Sequence, residues 1–266
     1  MSRPLTRIGM ALVAGGTALA VCVLAIPPAV GVLWGGARYR GVVGTELKQL
    51  AERTVVYDNR GRVIGRLGLE DRASVRLSDV SPLLIQAVLT TEDRNFYENA
   101  GVDVQAVARA FFRNVDAGSV SQGGSTITQQ LVKNRLFDAP QRTLARKVRE
   151  AALALRLDAE WPKNKILEEY LNTVYFGQGS YGVRSAAERF FGVQPSRLDL
   201  AQSALLAGLI QNPEGDNPFS HPEEALGRRA EVLRSMREQG LITEAEEQYA
   251  RLVPLPTTKP PADLDR

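Results

Sequence analysis

Past residue 80 the hydrophobic positions recur with the period of an α-helix, so most of the folded part of the chain is predicted to be helical. The first such segment has Ser81 as its cap, Pro82 in its first turn, and Leu84, Ala87 and Val88 on one face. Further helices are predicted after caps at Asp103, Ser125 and Thr143, after Pro162, and over Val183 to Phe191, Leu200 to Leu209, Pro222 to Gln239 and Glu244 to Leu252, the last opened by a Thr243 and Glu246 capping box.

Two stretches before residue 80 have the composition of short strands. Thr54 to Tyr57 and Arg62 to Leu67 are rich in β-branched residues, and the turn-forming residues from Asp58 to Gly61 separate them. This pattern predicts a small β-hairpin ahead of the helices.

The run from Ile8 to Ala37 contains no charged residue and is long enough to cross a bilayer. A cleaved signal peptide is the rival interpretation, but its apolar core is typically only about 7–15 residues long, so we favour an uncleaved anchor. Arg3 and Arg7 precede the run and Arg38 and Arg40 follow it, so the charges alone leave its orientation open.

Composition excludes several kinds of site. Cys22, the one cysteine, lies within the apolar run, which excludes a disulfide framework and a thiolate nucleophile in the soluble part. His221 is the one histidine, so a zinc site built on several imidazoles is excluded too. The net charge of +3 fits a membrane surface or an anionic substrate, whereas the scattered basic residues argue against nucleic-acid binding.

The remaining polar residues suggest acid–base chemistry on an anionic substrate. Glu92 and Glu150 are candidate carboxylates, and Arg109, Lys133 and Arg142 are candidate cations. A general base needs a carboxylate next to the attacking hydroxyl, and a departing phosphate group needs cations and hydrogen-bond donors where its charge develops.

Each of these residues also has a structural interpretation. Glu150 could form only a surface pair with Arg146, worth about 0.2–0.5 kcal/mol. Ser125 could be only a helix cap, and Arg109 only an edge residue whose stem packs on apolar surface. The face formed by Gln129, Gln130 and Lys133 could simply be solvated, so spacing alone leaves both interpretations open.

Four motifs in order make the chain resemble a known family. They contain Glu92, Asp93, Phe96, Gly101 and Asp103; then Gly124, Ser125, Thr126, Ile127, Thr128, Gln129, Gln130, Leu131, Lys133 and Asn134; then Arg146, Lys147 and Glu150; then Ile166, Leu167, Glu168, Tyr170, Leu171, Asn172, Tyr175, Phe176, Gly177, Gly179 and Gly182. On these residues the chain closely resembles family 51 glycosyltransferases, the peptidoglycan glycosyltransferases, over most of residues 55–236. Long motifs in the correct order are far more specific than one short pattern.

The resemblance implies a mainly α, lysozyme-like glycosyltransferase domain over residues 53–253 that polymerises lipid II into glycan strands. Glu92 would be the general base for an acceptor hydroxyl that attacks the anomeric carbon with inversion, as undecaprenyl pyrophosphate leaves. Glu150 would be the second essential glutamate. The substrate-binding residues that the resemblance implies are Asp93, Arg109, Ser125, Gln129, Gln130, Lys133, Asn134 and Arg142.

The resemblance also implies the surroundings of the domain. The expected partners are lipid II, the growing glycan chain, membrane lipid and cell-wall synthesis proteins such as transpeptidases, with no nucleic acid. We expect a cytoplasmic tail at 1–8, a single transmembrane helix at 9–34 in the plasma (inner) membrane, a juxtamembrane segment at 35–52, and a catalytic domain on the outer or periplasmic face. No cofactor is expected to be required; a divalent cation (Mg or Mn) would only stimulate.

The chain departs from the family pattern at two positions. Asn99 stands where the first motif usually has His, and Gln202 stands where Glu is common, at a position that we interpret as structural. Neither departure touches Glu92 or Glu150.

The hairpin resembles that of bifunctional class A penicillin-binding proteins, but the sequence has no Ser-x-x-Lys or Lys-Thr-Gly transpeptidase motif. Residues 254–266 are rich in proline and have linker composition. We therefore expect a stand-alone or truncated glycosyltransferase half. A lytic, lysozyme-like glycosidase and an inactive cell-wall scaffold are the alternatives; the first needs carboxylates but no pyrophosphate site, and loss of Glu92 or Glu150 would have suggested the second.

Overall fold

The computed structural model describes residues 54–60, 63–67, 74–103, 124–137 and 143–256. Its first elements are strands β1 (Thr54–Tyr57) and β2 (Val63–Leu67), which pair antiparallel with Thr54 opposite Leu67. The backbone N–H of Arg60 donates to Asp58 Oδ1 at 2.8 Å in the connecting turn. An Asx contact of this kind is what Asp commonly contributes to a turn.

Helices dominate the rest of the described chain, which confirms the mainly α prediction. They are α1 (Pro82–Glu92), α2 (Ile127–Leu136), α3 (Leu144–Glu160), α4 (Lys163–Thr173), α5 (Val183–Phe191), α6 (Leu200–Leu209), α7 (Pro222–Glu238) and α8 (Glu244–Leu252), with short 3-10 turns at Leu77–Asp79 and Pro195–Arg197. None of the helices in these residues is both long and apolar enough to span a membrane. The predicted anchor, the helix after Asp103 and most of the C-terminal tail lie outside the described residues.

The helices pack in two neighbouring groups that share one hydrophobic core. In the first group α6 is almost entirely buried and packs against both α1 and α7, while α8 covers α7. A helix that is apolar all round, as α6 is, must be enclosed by others. In the second group α2 packs against α3 and α4. Glu92 ends a helix of the first group, and Glu150 lies on a helix of the second.

Helix starts follow local capping chemistry, with one correction to the sequence prediction. The cap of α2 is Thr126 and not Ser125, because the Thr126 hydroxyl accepts from the backbone N–H of Gln129 while Gln129 Oε1 accepts from the backbone N–H of Thr126. These two bonds form a capping box. The predicted cap at Thr143 and the box of Thr243 with Glu246 are confirmed.

Ser81 occupies the cap position of α1, but its side chain serves another purpose. Its hydroxyl makes no cap bond and instead donates to the Leu198 carbonyl oxygen at 2.8 Å. Ser81 therefore ties the start of α1 to the segment just before α6.

Candidate active site

Glu92 is the last residue of α1, and its side chain reaches the neighbouring helix group. Gln130 Nε2 on α2 donates to Glu92 Oε2 at 2.7 Å. The same Gln130 side chain accepts at Oε1 from the Tyr170 hydroxyl on α4, at 3.1 Å. A chain of two hydrogen bonds thus runs from α4 through α2 to the carboxylate at the end of α1.

Burial raises the pKa of Glu92 above its ordinary value. The hydrogen bond from Gln130 opposes this shift, as do the positive charges of Arg228 and Lys133, and the nearby Asp93 adds to it. A carboxylate with a raised pKa binds a proton more readily, which is the property that a general base needs. Such shifts cluster at functional sites, although structural networks also produce them.

Asp93 follows Glu92 but turns its carboxylate into the protein, where it is 7% exposed. Its Oδ2 accepts from the backbone N–H of Ile127 at 3.1 Å, and Asn99 Nδ2 donates to both of its oxygens, at 2.9 and 3.2 Å. Asp93 thereby fastens the end of α1 to the first turn of α2. This contact supports a positioning role, and direct contact of Asp93 with a substrate stays a prediction.

Asn99, at the position where the family usually has His, is the centre of the loop between Asp93 and Gly101. Besides binding Asp93, it accepts at Oδ1 from the backbone N–H of Gly101 at 3.0 Å, and its carbonyl oxygen accepts from Lys163 Nζ at 2.7 Å. Gly101 has φ +84°, and a Cβ at this position would lie 2.5 Å from the Ala154 carbonyl oxygen on α3. The loop is therefore closely fitted to the second helix group.

Glu150 lies on α3 with only 1% of its side chain exposed. Lys147, one turn earlier, forms an ion pair with Glu150 Oε1 and also donates to Ser125 Oγ at 2.9 Å. Glu150 Oε2 is buried and has no hydrogen-bond partner among the described residues. Ser125 is thus a partner of Lys147 in front of α2, and the Lys147 ammonium connects two of the predicted site residues.

The predicted residues on α2 have unequal positions. Gln129 is buried, and its side-chain oxygen is used in the capping box, whereas Lys133 and Asn134 are exposed. Desolvation in its surroundings lowers the pKa of Lys133, and the negative charges of Glu150 and Glu92 oppose that shift. Lys133 therefore lies within electrostatic range of both carboxylates. Arg109 and Arg142 lie outside the described residues.

A cavity of about 540 Å³ opens beside the end of α1. Glu92 and Ser125 line it, and α7 contributes Arg228, Glu231 and Arg234. Arg228 donates to Glu231 Oε2 at 2.8 Å and lowers the pKa of Glu92 through its charge. These α7 residues are not among the predicted site residues, although their spacing of three places them on one helix face.

No group of three or more His, Cys, Asp or Glu residues in the described ranges is arranged to hold a metal ion. Two further site residues were missed as well. Lys147 and Tyr170 both stand within the recognised motifs, but nothing in the sequence shows that their polar atoms meet Glu150 and Gln130.

The sequence model of the family described as Transglycosylase matches residues 60–237, which is more than half of the chain. The chain belongs to the transglycosylase family. Among curated relatives of this transglycosylase domain, penicillin-binding protein 1A of Aquifex aeolicus (strain VF5) is 47% identical over 203 residues, covering 76% of this chain and 28% of that protein. Penicillin-binding protein 1A/1B of Bacillus subtilis (strain 168) is 41% identical over 201 residues, covering 75% and 22%.

These matches confirm the resemblance to the peptidoglycan glycosyltransferase domain of class A penicillin-binding proteins. The transglycosylase chain spans only about a quarter of the length of these relatives. A crystal structure of penicillin-binding protein 1A from Haemophilus influenzae is similar with a TM-score of 0.47 and 25% identity, covering 80% of this chain and 22% of that one.

Proposed function

We propose that the protein is a membrane-anchored peptidoglycan glycosyltransferase that polymerises lipid II into glycan strands. One observation carries the proposal: a carboxylate with a raised pKa, Glu92, lies in the wall of a polar cavity, held by the Gln130 amide and within range of Arg228 and Lys133. Family membership makes glycosyl transfer the chemistry to which this geometry belongs. The anchor at residues 9–34 and the outer or periplasmic location of the domain are part of the proposal.

In the proposed reaction Glu92 removes the proton from the acceptor sugar hydroxyl. The hydroxyl oxygen forms the new bond to the anomeric carbon of the growing chain, from the face opposite the leaving group. The bond from that carbon to the pyrophosphate oxygen breaks, and undecaprenyl pyrophosphate leaves with the electron pair. Inversion at the anomeric carbon follows because attack and departure occur on opposite faces.

The negative charge that develops on the pyrophosphate needs cations that are already in place. Lys133 and Lys147 are candidates, because Lys133 is exposed and within electrostatic range of both carboxylates and Lys147 bridges Ser125 and Glu150. Glu150 would hold the Lys147 ammonium in position. Arg109 and Arg142 are proposed as further contacts on the basis of the family resemblance, as is an optional stimulatory Mg or Mn ion.

The direct test is polymerisation of lipid II by the purified full chain and by Glu92→Gln. Loss of a general base typically costs about 10²–10⁴-fold in rate, so the variant should be almost inactive. Glu98→Gln is the matched control, because Glu98 is an exposed glutamate in the loop that follows and should leave the rate unchanged. Undiminished polymerisation by Glu92→Gln would refute the proposal.

A second assay separates the proposal from lytic activity. The protein is incubated with intact sacculi, and soluble muropeptides are measured. A glycosidase would release them, whereas a polymerase should not, so release that depends on Glu92 would favour the hydrolase instead.

A further inference from the structure

Among the described residues Tyr170 is the largest fully buried side chain, yet its hydroxyl is directed at the candidate site. The residue lies in α4 with no exposed surface, and its hydroxyl donates to Gln130 Oε1 at 3.1 Å. Burial raises the pKa of this hydroxyl well above its ordinary value, so it remains a proton donor at any working pH. The proposed reaction assigns a role to Glu92 but none to Tyr170.

The hydrogen bond that Tyr170 donates to Gln130 Oε1 helps to hold the amide with its NH₂ group towards Glu92. A glutamine side chain can point either its oxygen or its NH₂ group at a neighbour, and only the NH₂ group can donate to a carboxylate. With the Tyr170 hydroxyl bound at Oε1, Nε2 is left on the side of Glu92, where it donates at 2.7 Å. The reverse orientation would bring an amide oxygen against the Glu92 oxygen, which is repulsive.

We propose that Tyr170 is a positioning residue that acts through Gln130 on the carboxylate of Glu92. Tyr170 itself need not touch the substrate. This inference deepens the proposed function and rests on it for its kinetic consequence, because only a catalytic Glu92 would make the orientation of Gln130 matter for the rate. Its structural content, the control of one carboxylate by a buried hydroxyl two hydrogen bonds away, can be measured without any reaction.

The other charges around Glu92 come from three directions and do not replace this contact. Arg228 on α7 and Lys133 on α2 favour the ionised carboxylate through their charge, and Asp93 next in the chain disfavours it. Helix α6, which packs against α1, contains no titratable residue. Gln130 is the only group that the described residues show donating a hydrogen bond to Glu92.

Tyr170→Phe is expected to loosen Gln130 and so weaken the hydrogen bond that favours the charged form of Glu92. The midpoint of Glu92 titration should rise, and the net value of one neutral hydrogen bond corresponds to about 0.3–1 pH unit. In kinetics, the acidic limb of the pH profile of kcat/KM for lipid II should shift to higher pH by the same amount. The rate should recover at high pH, where Glu92 is ionised in both proteins. A purely structural role would lower the rate at all pH values without moving the limb.

The test is a ¹³C NMR titration of Glu92 in the full chain in detergent micelles, with the signal assigned by its loss in Glu92→Gln. Three variants are compared with the unaltered protein: Tyr170→Phe, Gln130→Met and the two together. If Tyr170 acts through Gln130, the double variant should titrate like Gln130→Met alone, because the two changes remove one shared contact. An unchanged midpoint in Tyr170→Phe, or additive shifts in the double variant, would overturn the inference.

Tyr97→Phe supplies the matched control. Tyr97 is half exposed, and its hydroxyl donates to Asn164 Oδ1 at 3.1 Å, away from Gln130. It should leave the Glu92 midpoint and the pH profile where they are, and a shift as large as that of Tyr170→Phe would count against the inference.

A second measurement needs no Tyr170 variant and so covers the case in which Tyr170→Phe does not fold. The ¹³Cζ resonance of Tyr170 should follow the titration of Glu92 in the unaltered protein. Most of this response should be lost in Gln130→Met, where only the direct effect of the Glu92 charge remains. A Tyr170 resonance that ignores Glu92 contradicts the inference. If lipid II polymerisation itself fails, the proposed function is refuted while both NMR measurements still decide the role of Tyr170.

Discussion

The two glutamates of the candidate site lie on different helix groups and are held in opposite ways. Glu92 ends α1, is only partly buried, and receives its hydrogen bond from a neutral amide. Glu150 lies in the first half of α3, has almost no exposed surface, and is paired with the ammonium of Lys147. One carboxylate is therefore arranged to exchange a proton, and the other is arranged to hold a cation.

The environment of each glutamate follows from its place in its helix. The C-terminal end of a helix carries partial negative charge, which disfavours an ionised carboxylate and acts in the same direction as the burial of Glu92. Glu150 is followed by three further turns of helix and packs inside the protein, where a carboxylate without a cation would be costly. The contrast predicts that altering the partner of Glu150 affects stability most, whereas altering Glu92 affects mainly the reaction.

The largest expected effect on stability comes from Lys147→Met. It leaves the buried Glu150 without its ammonium, which costs about 3–5 kcal/mol for a fully buried pair. Because Lys147 is 45% exposed and water screens it, we expect about 2–3 kcal/mol by chemical denaturation. The double variant Lys147→Met with Glu150→Gln should regain most of this loss. A double variant as unstable as Lys147→Met would show that the carboxylate is not the cause.

This ion pair shows how far the sequence predicts the site. Glu150 is predicted both as a candidate carboxylate and, from the family resemblance, as the second essential glutamate. Lys147 stands three residues before it, a spacing at which helical side chains meet. From the sequence alone Arg146 is an equally suitable surface partner, because nothing in the local pattern reveals that Glu150 faces the interior. Burial depends on α2 packing against α3, and such tertiary contacts cannot be read from one helix.

The next effect concerns the loop that ties α1 to α2. Asn99→Ala removes both contacts of Asn99 with the buried Asp93 and leaves the backbone N–H of Gly101 without its acceptor. We expect a loss of about 1–2 kcal/mol by denaturation at neutral pH. Burial already raises the pKa of Asp93, and the loss of Asn99 should raise it further, so the effect should shrink at low pH, where Asp93 is protonated in both proteins.

Asn99→His is the matched variant, because a ring N–H can again donate to Asp93. It should retain more stability than Asn99→Ala, with its advantage greatest just below the ordinary histidine pKa of about 6.5, where the ring is charged and Asp93 is still ionised. If alanine and histidine are equally destabilising at every pH, the bond to Asp93 is not what makes Asn99 important.

Within α2, the two neighbouring glutamines of the predicted site have different roles in the structure. Gln129 completes the capping box with Thr126, and the Thr-x-x-Gln spacing was visible in the sequence. Gln130 holds Glu92, which required knowing that the end of α1 lies against α2. The prediction of Ser125 as the cap was wrong by one residue although the Thr126 spacing is local, whereas the contact with Glu92 depends on tertiary packing.

A smaller effect on stability is expected from Glu92→Gln, which should stabilise the protein where the previous variants destabilise it. Because the pKa of Glu92 is raised in the folded protein, its contribution to stability is fully present below about pH 4.3, the ordinary glutamate value, and is lost as pH rises through the raised pKa. Glutamine does not ionise and avoids that loss. We expect Tm at pH 7–8 to rise by about 2–4 °C, which is about 1 kcal/mol for a domain of this size.

The gain should vanish near pH 4, where Glu92 is protonated and therefore neutral, as glutamine is. The measurement is thermal unfolding of both proteins across this pH range. Equal Tm values at pH 8, or a gain that is independent of pH, would show that ionised Glu92 does not destabilise the folded protein.

The smallest effect is expected outside both glutamate environments, at Gln202. Here the chain departs from the common Glu of the family, and the structure places Gln202 in a capping box with Asp199 at the start of α6. Glutamate serves equally well at this position of a capping box, so Gln202→Glu should change the free energy of unfolding by less than about 0.5 kcal/mol and leave lipid II polymerisation unchanged. Gln202→Ala, which removes one of the two bonds, should cost more than Gln202→Glu. A loss of activity in Gln202→Glu without a loss of stability would instead connect the start of α6 to the reaction, and the contrast would then involve more than two carboxylates.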